Sequence, residues 1–222
     1  MRYVPLGSIS TAVLLIAGAF CMVGTVVGAI LIGPHNRLDF RHDAPLPLPG
    51  LGNSPILQVE LARNEDDLRA VLMVGDIQNN LRDARAGNLL DTFLFIPGYA
   101  GFLFVVGALL ARTDSRLHCA ALLLALAAVP AIATFDWLEN LGIARTLDHI
   151  AHDGAPHCGD AQRISGPSMV KWTLLAVVLV IYGLTAAGAR KGWPVTGFGI
   201  SSLVAGALLA IRLGGYFRVR FL

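Results

Sequence analysis

Charge is scarce in this chain: Asp, Glu, Lys and Arg make up 14% of its 222 residues, against 55% hydrophobic residues. With a mean hydropathy of +0.64, that balance excludes an ordinary soluble domain and points to a polytopic membrane protein. Cysteine is nearly absent. Cys21, Cys119 and Cys158 show no CxxC spacing and two of them fall inside apolar runs, so neither a disulfide framework nor a zinc motif is indicated. No acidic residue follows Asp160, yet the basic residues beyond it mostly sit at the ends of apolar runs, where Lys and Arg reach for headgroups. This is not a nucleic-acid footprint. Gly-x-Ser-x-Gly, His-Glu-x-x-His and phosphate-loop motifs are missing too, so the sequence names no nucleophile and leaves any cofactor unknown.

What is present is length of apolar chain. Five stretches approach the roughly 20 residues that cross about 30 Å of hydrocarbon: about Ser8 to Ile32, Thr92 to Ala111, Leu117 to Leu141, Met169 to Ala189, and Val195 to Leu213. The expected fold class is all-α, a polytopic transmembrane bundle of about five spans with a small extracytoplasmic insertion between spans 1 and 2. Residues 1–33 form the N-terminal span, 34–90 the insertion, and 91–222 a four-helix region with an outer loop near 145–167. The first apolar run is too long for a signal peptide and is read as a retained helix. Its Gly24-x-x-x-Gly28 suits close helix packing, within one subunit in preference to a dimer. Small residues also line span 5, which leaves homo- or hetero-oligomerisation open.

The insertion begins Pro-rich, at Pro45, Pro47, Pro49 and Pro55, and then turns helical. Asn64 with Asp67 three residues on reads as a helix start, and Ile77, Leu81 and Ala84 repeat at helical spacing. Its six arginines and eight acids nearly balance, which argues against polybasic lipid recognition. Span 2 is expected to open near Asp91 and to kink at Pro97, whose missing donor frees the carbonyl of Phe93. Span 4 is expected to open at Ser168, after a stretch of loop composition from Asp153 to Pro167.

The candidate site is the set of polar residues that this topology brings to one depth. In Phe135-Asp136-Trp137-Leu138-Glu139-Asn140, helical spacing places Asp136, Glu139 and Asn140 on one face. Asp91 and Tyr99 share a face of span 2, and Lys171 opens span 4. Antiparallel neighbours put Asp91, Asp136 to Asn140 and Lys171 at one membrane side, with Tyr99 deepest. An inside amino terminus places Arg2, Arg112, Arg116, Arg190 and Lys191 in short cytoplasmic segments and puts residues 34–90 outside, with Arg218 and Arg220 as an exception. No metal is assigned: the spacing of His149, His152, His157 and Cys158 matches no closed zinc pattern, and solvated loop histidines are preferred.

Three readings of the cluster follow. It binds a lipid headgroup, small polar ligand or ion at the outer leaflet of what is expected to be a bacterial cytoplasmic membrane. It locks helices in a structural or partner-binding protein. Or its paired carboxylates serve a lipid-modifying enzyme. Glu60-Leu61-Ala62, Asp91-Thr92-Phe93, Phe95-Ile96-Pro97-Gly98-Tyr99, Phe135 to Asn140, and Lys171-Trp172 together resemble a group of uncharacterised bacterial multi-pass membrane proteins, over roughly residues 56 to 185. The resemblance implies a shared helical membrane fold and the same polar set, but no activity, cofactor or partner beyond the surrounding lipids.

Overall fold

The computed structural model describes residues 9–35, 55–189 and Gly206. These are helical almost throughout: α1 (Thr11–His35), α2 (Pro55–Glu60), α3 (Glu65–Leu72), α4 (Ile77–Leu110), α5 (His118–Asp153) and α6 (Asp160–Gly188). Among the described residues, α1, α4, α5 and α6 are long and apolar enough to cross a membrane. The surface of α1 is what lipid requires: Ile16, Phe20, Val23 and Ile30 are all exposed. The fifth expected span, Val195 to Leu213, lies outside the described residues apart from Gly206, which is helical and backs onto Val180 and Ala176 of α6.

Small residues set how closely α1 meets α4. A methyl group on Gly98 would fall 2.7 Å from the Thr25 backbone nitrogen, and one on Gly28 would fall 3.1 Å from Phe95 Cα. The Gly24/Gly28 pair is thus used inside the subunit, with Gly98 as its counterpart on the facing helix. Beyond this seam, Leu103, Leu110, Val129, Ile132, Val178 and Tyr182 join α4, α5 and α6 in a common core.

The helix that carries span 2 does not begin at Asp91. One helix runs from Ile77 through Leu110, and a π turn at Asp91–Phe95 marks where it enters the apolar stretch. The turn frees a further carbonyl. Ile96 N–H bonds Asp91 O, so Thr92 O loses its α-helical donor, and the next candidate, residue 97, is a proline without one. Trp137 Nε1 donates to Thr92 O instead, at 3.1 Å. A second π turn, Leu124–Ala128, likewise precedes Pro130 in α5.

The second difference is at α6, which starts at Asp160, eight residues before Ser168, and carries Pro167 inside it. Composition was misleading here because tertiary contacts hold the first turns. Asp160 is buried and accepts from His157 N–H at 2.8 Å, while Glu65 accepts from Gly159 N–H at 2.8 Å. Pro167 leaves the carbonyl of Arg163 without its helical donor, and α5 approaches that carbonyl through Gly142, where a methyl group would lie 3.0 Å from the oxygen.

The C-terminal end of α5 and the N-terminal end of α6 carry a small second core. Asn64 caps α3 by accepting from Asp67 N–H at 3.0 Å. Val59, Leu68, Val71, Leu72 and Leu81 then pack on Ile143, Leu147, Ile150, Ala161 and Ile164. This packing fixes α2 directly over the bundle.

Because Gly98 meets backbone on α1 whereas nothing lies within 4 Å of an added methyl at Gly166, Gly98→Ala should lower stability in detergent by about 1–3 kcal/mol. Gly166→Ala should leave the melting temperature unchanged or raised. Thermal melts of the two variants compare them directly.

Candidate functional site

The polar residues converge on one ammonium group. Lys171, 5% exposed, places Nζ 2.8 Å from Asp136 Oδ1 and 3.0 Å from Glu139 Oε1. Glu139 Oε2 is also 2.8 Å away, at an angle that makes an ion pair without a hydrogen bond. Glu60 Oε2 completes the shell at 3.6 Å. Three carboxylates from α2 and α5 therefore surround one base from α6, and Glu139 is fully buried.

Each neighbour is positioned by the antiparallel register of α4 and α5. Tyr99 lies eight residues after Asp91, and Asp136 lies four before Asn140, so the deeper pair and the shallower pair face each other. Tyr99 Oη donates to Asp136 Oδ2 at 2.6 Å. Asn140 Nδ2 donates to Asp91 Oδ2 at 2.7 Å and to Thr92 Oγ1 at 3.0 Å. Asn88, one turn before Asp91, donates through Nδ2 to the Asn140 carbonyl at 3.1 Å. All six predicted site residues are thus in one neighbourhood: Asp136, Glu139, Lys171 and Tyr99 form a connected network, and Asp91 with Asn140 forms an adjoining pair.

Two members escaped the sequence reading of the site. Glu60 sits at the end of α2 and accepts from Trp172 Nε1 at 3.0 Å, tying the cap to the start of the transmembrane part of α6. Both residues stand in the short segments Glu60-Leu61-Ala62 and Lys171-Trp172 singled out above, which was the available signal. Trp172 also lies beneath the Lys171 ammonium, 5.0 Å from its ring centroid.

The network borders a cavity of about 540 Å³, a volume typical of small-molecule sites. Glu60, Asp91, Tyr99, Asp136, Asn140 and Lys171 line its polar end. The remainder is apolar, with Phe102 and Leu103 of α4, Ile132 of α5 and Leu175 and Leu179 of α6; Ala29 and Ile32 of α1 also line the cavity. Glu139 does not line it and stands behind Lys171.

The histidines expected in a loop belong elsewhere, with His149 and His152 in the last turns of α5. His149 stacks on His157 with ring centroids 3.8 Å apart, and their carboxylate neighbours are Asp160 and Asp153, not Asp136 or Glu139. Cys158 is exposed. His118 sits at the opposite end of α5, with Nδ1 2.8 Å from Ser115 O.

The chain matches no protein-family model, no curated protein and no solved structure. What the site can do must therefore be judged from its own chemistry. It offers hydrogen-bond acceptors and negative charge at one end of a nonpolar chamber.

Removing the single base leaves three carboxylates without their counter-charge, so Lys171→Met should cost about 3–5 kcal/mol. Lys171→Met combined with Glu139→Gln should recover part of that loss, because it removes one stranded charge in a site where water cannot compensate it. Detergent melting temperatures of the single and double variants test the expected order.

Proposed function

We propose that this protein is an integral protein of the bacterial cytoplasmic membrane, its amino terminus inside and residues 34–90 outside, that binds a lipid or similar amphiphile at the outer leaflet. The observation that carries the reading is the division of one cavity into a polar end and an apolar remainder. The polar end lies where α4 passes from its amphipathic part into its apolar part. The cavity wall follows α4 from Asp91 to Leu103 and α6 from Lys171 to Leu179, which at 1.5 Å per residue is about 18 Å and 12 Å of depth. A headgroup at the carboxylates and an alkyl chain along Leu103 and Leu179 would match both halves.

The burial of Glu139 away from the cavity favours a second role for part of the network. Its pairing with Lys171 locks α5 to α6, and the ligand-facing residues are then Glu60, Asp91, Tyr99 and Asn140. Turnover by paired carboxylates fits less well, since both oxygens of Asp136 are already engaged, by Lys171 and Tyr99. Binding is the function that this geometry supports best.

Native mass spectrometry of protein extracted gently from its host membrane should show a bound amphiphile. Leu179→Trp, which fills the apolar half without touching the polar end, should remove most of that mass while leaving the melting temperature of the ligand-free protein nearly unchanged. Wild-type protein free of any bound molecule, or equal occupancy in Leu179→Trp, would refute the reading.

A further inference from the structure

The amphiphile site proposed above sets a further question, the chemistry of the headgroup, and the cavity wall bears on it. Four carboxyl groups, Glu60, Asp91, Asp136 and Glu139, share one base. Lys171 is occupied by three of them, at 2.8 to 3.6 Å, so it is not available to an anionic headgroup. Among the described residues, no other basic side chain lines the cavity.

Asp91 is the member left over. Asn140 donates to one of its oxygens, and among the described residues no Lys, Arg or His lies within ion-pair distance of it. One turn earlier, Asn88 Nδ2 donates to the Asn140 carbonyl, and its Oδ1 is buried out of reach of a molecule in the cavity. Asp91 is thus the carboxyl group that faces the cavity without an ion-pair partner among the described residues. The rings of Phe95 and Tyr99, tilted with centroids 5.4 Å apart, form the adjoining wall and add the electron-rich faces that attract a cation.

We propose that the headgroup is a primary ammonium, held by Asp91 against Phe95 and Tyr99, with an alkyl chain running toward Leu179. This rests on the amphiphile reading but is separable from it. An ammonium group supplies both the N–H donors and the charge that Lys171 cannot. A sulfate or phosphate ester without an amine would face the carboxyl groups of Glu60, Asp91 and Asp136, and an alcohol would leave Asp91 without a counter-charge. The amine can belong to a free long-chain amine or to an aminolipid headgroup.

The test uses the full-length protein in phosphatidylcholine nanodiscs, titrated with decylammonium, decyltrimethylammonium, decanol and decyl sulfate and followed by tryptophan fluorescence. Decylammonium should bind saturably, with decanol and decyl sulfate at least about tenfold weaker, the size of one charge-assisted hydrogen bond. Decyltrimethylammonium, charged but without N–H, should be several-fold weaker. Asp91→Asn, which keeps the acceptor for Asn140, should abolish the preference for decylammonium, and Asp91→Glu should retain it; melting curves establish that both variants are folded. Equal binding of the trimethyl compound or of decyl sulfate, or an undiminished preference in Asp91→Asn, overturns the ammonium assignment while leaving an amphiphile site. Absence of saturable binding by all four probes overturns both. Adding phosphatidylethanolamine to the nanodiscs separates the two sources of the amine. Competition with decylammonium supports an aminolipid, unchanged affinity a free amine, and both keep the ammonium headgroup.

Discussion

The buried ammonium of Lys171 is the constraint around which this bundle is arranged. A charge taken out of water costs several kcal/mol unless opposite charge surrounds it, and here the surrounding carboxylates come from two different elements, α2 and α5. Satisfying Lys171 therefore fixes α6 against α5 and draws the cap onto the membrane-spanning helices. The hydrogen bond from Trp172 to Glu60 repeats that connection one residue on.

Such a network also explains the irregular backbone of α4. A regular helix interrupted by Pro97 would leave a carbonyl exposed to hydrocarbon. The π turn at Asp91–Phe95 frees the carbonyl of Thr92, and Trp137 donates to it. The same turn lies between Asp91 and Tyr99, so it sets how the two side chains meet Asn140 and Asp136. Backbone geometry and polar contacts are thus settled together at the point where α4 enters the apolar region.

Residues that look alike in sequence stand in different surroundings. Glu139 is walled off and pairs with Lys171, whereas Asp91 faces the cavity with no basic group within ion-pair distance among the described residues. The first arrangement secures helix packing. The second leaves a carboxyl group on the wall of a largely apolar chamber.

Periodicity and apolar length by themselves determined the helical class, the spans seen as α1, α4, α5 and α6, and the sharing of a face by Asp136, Glu139 and Asn140, because helix spacing and bilayer thickness act locally along the chain. Antiparallel order was enough to bring Asp91 and Lys171 to the same side, with Tyr99 deeper. Only the tertiary structure decided that Glu60 joins them, since the path of the chain from α1 to α2 is not written in any local pattern. It alone decided that α6 starts at Asp160, where Glu65 and the close approach of Gly142 hold turns that Gly166 and Pro167 argue against. The cavity is tertiary too: it is a volume left between helices that do not fill it, and no single segment contains it.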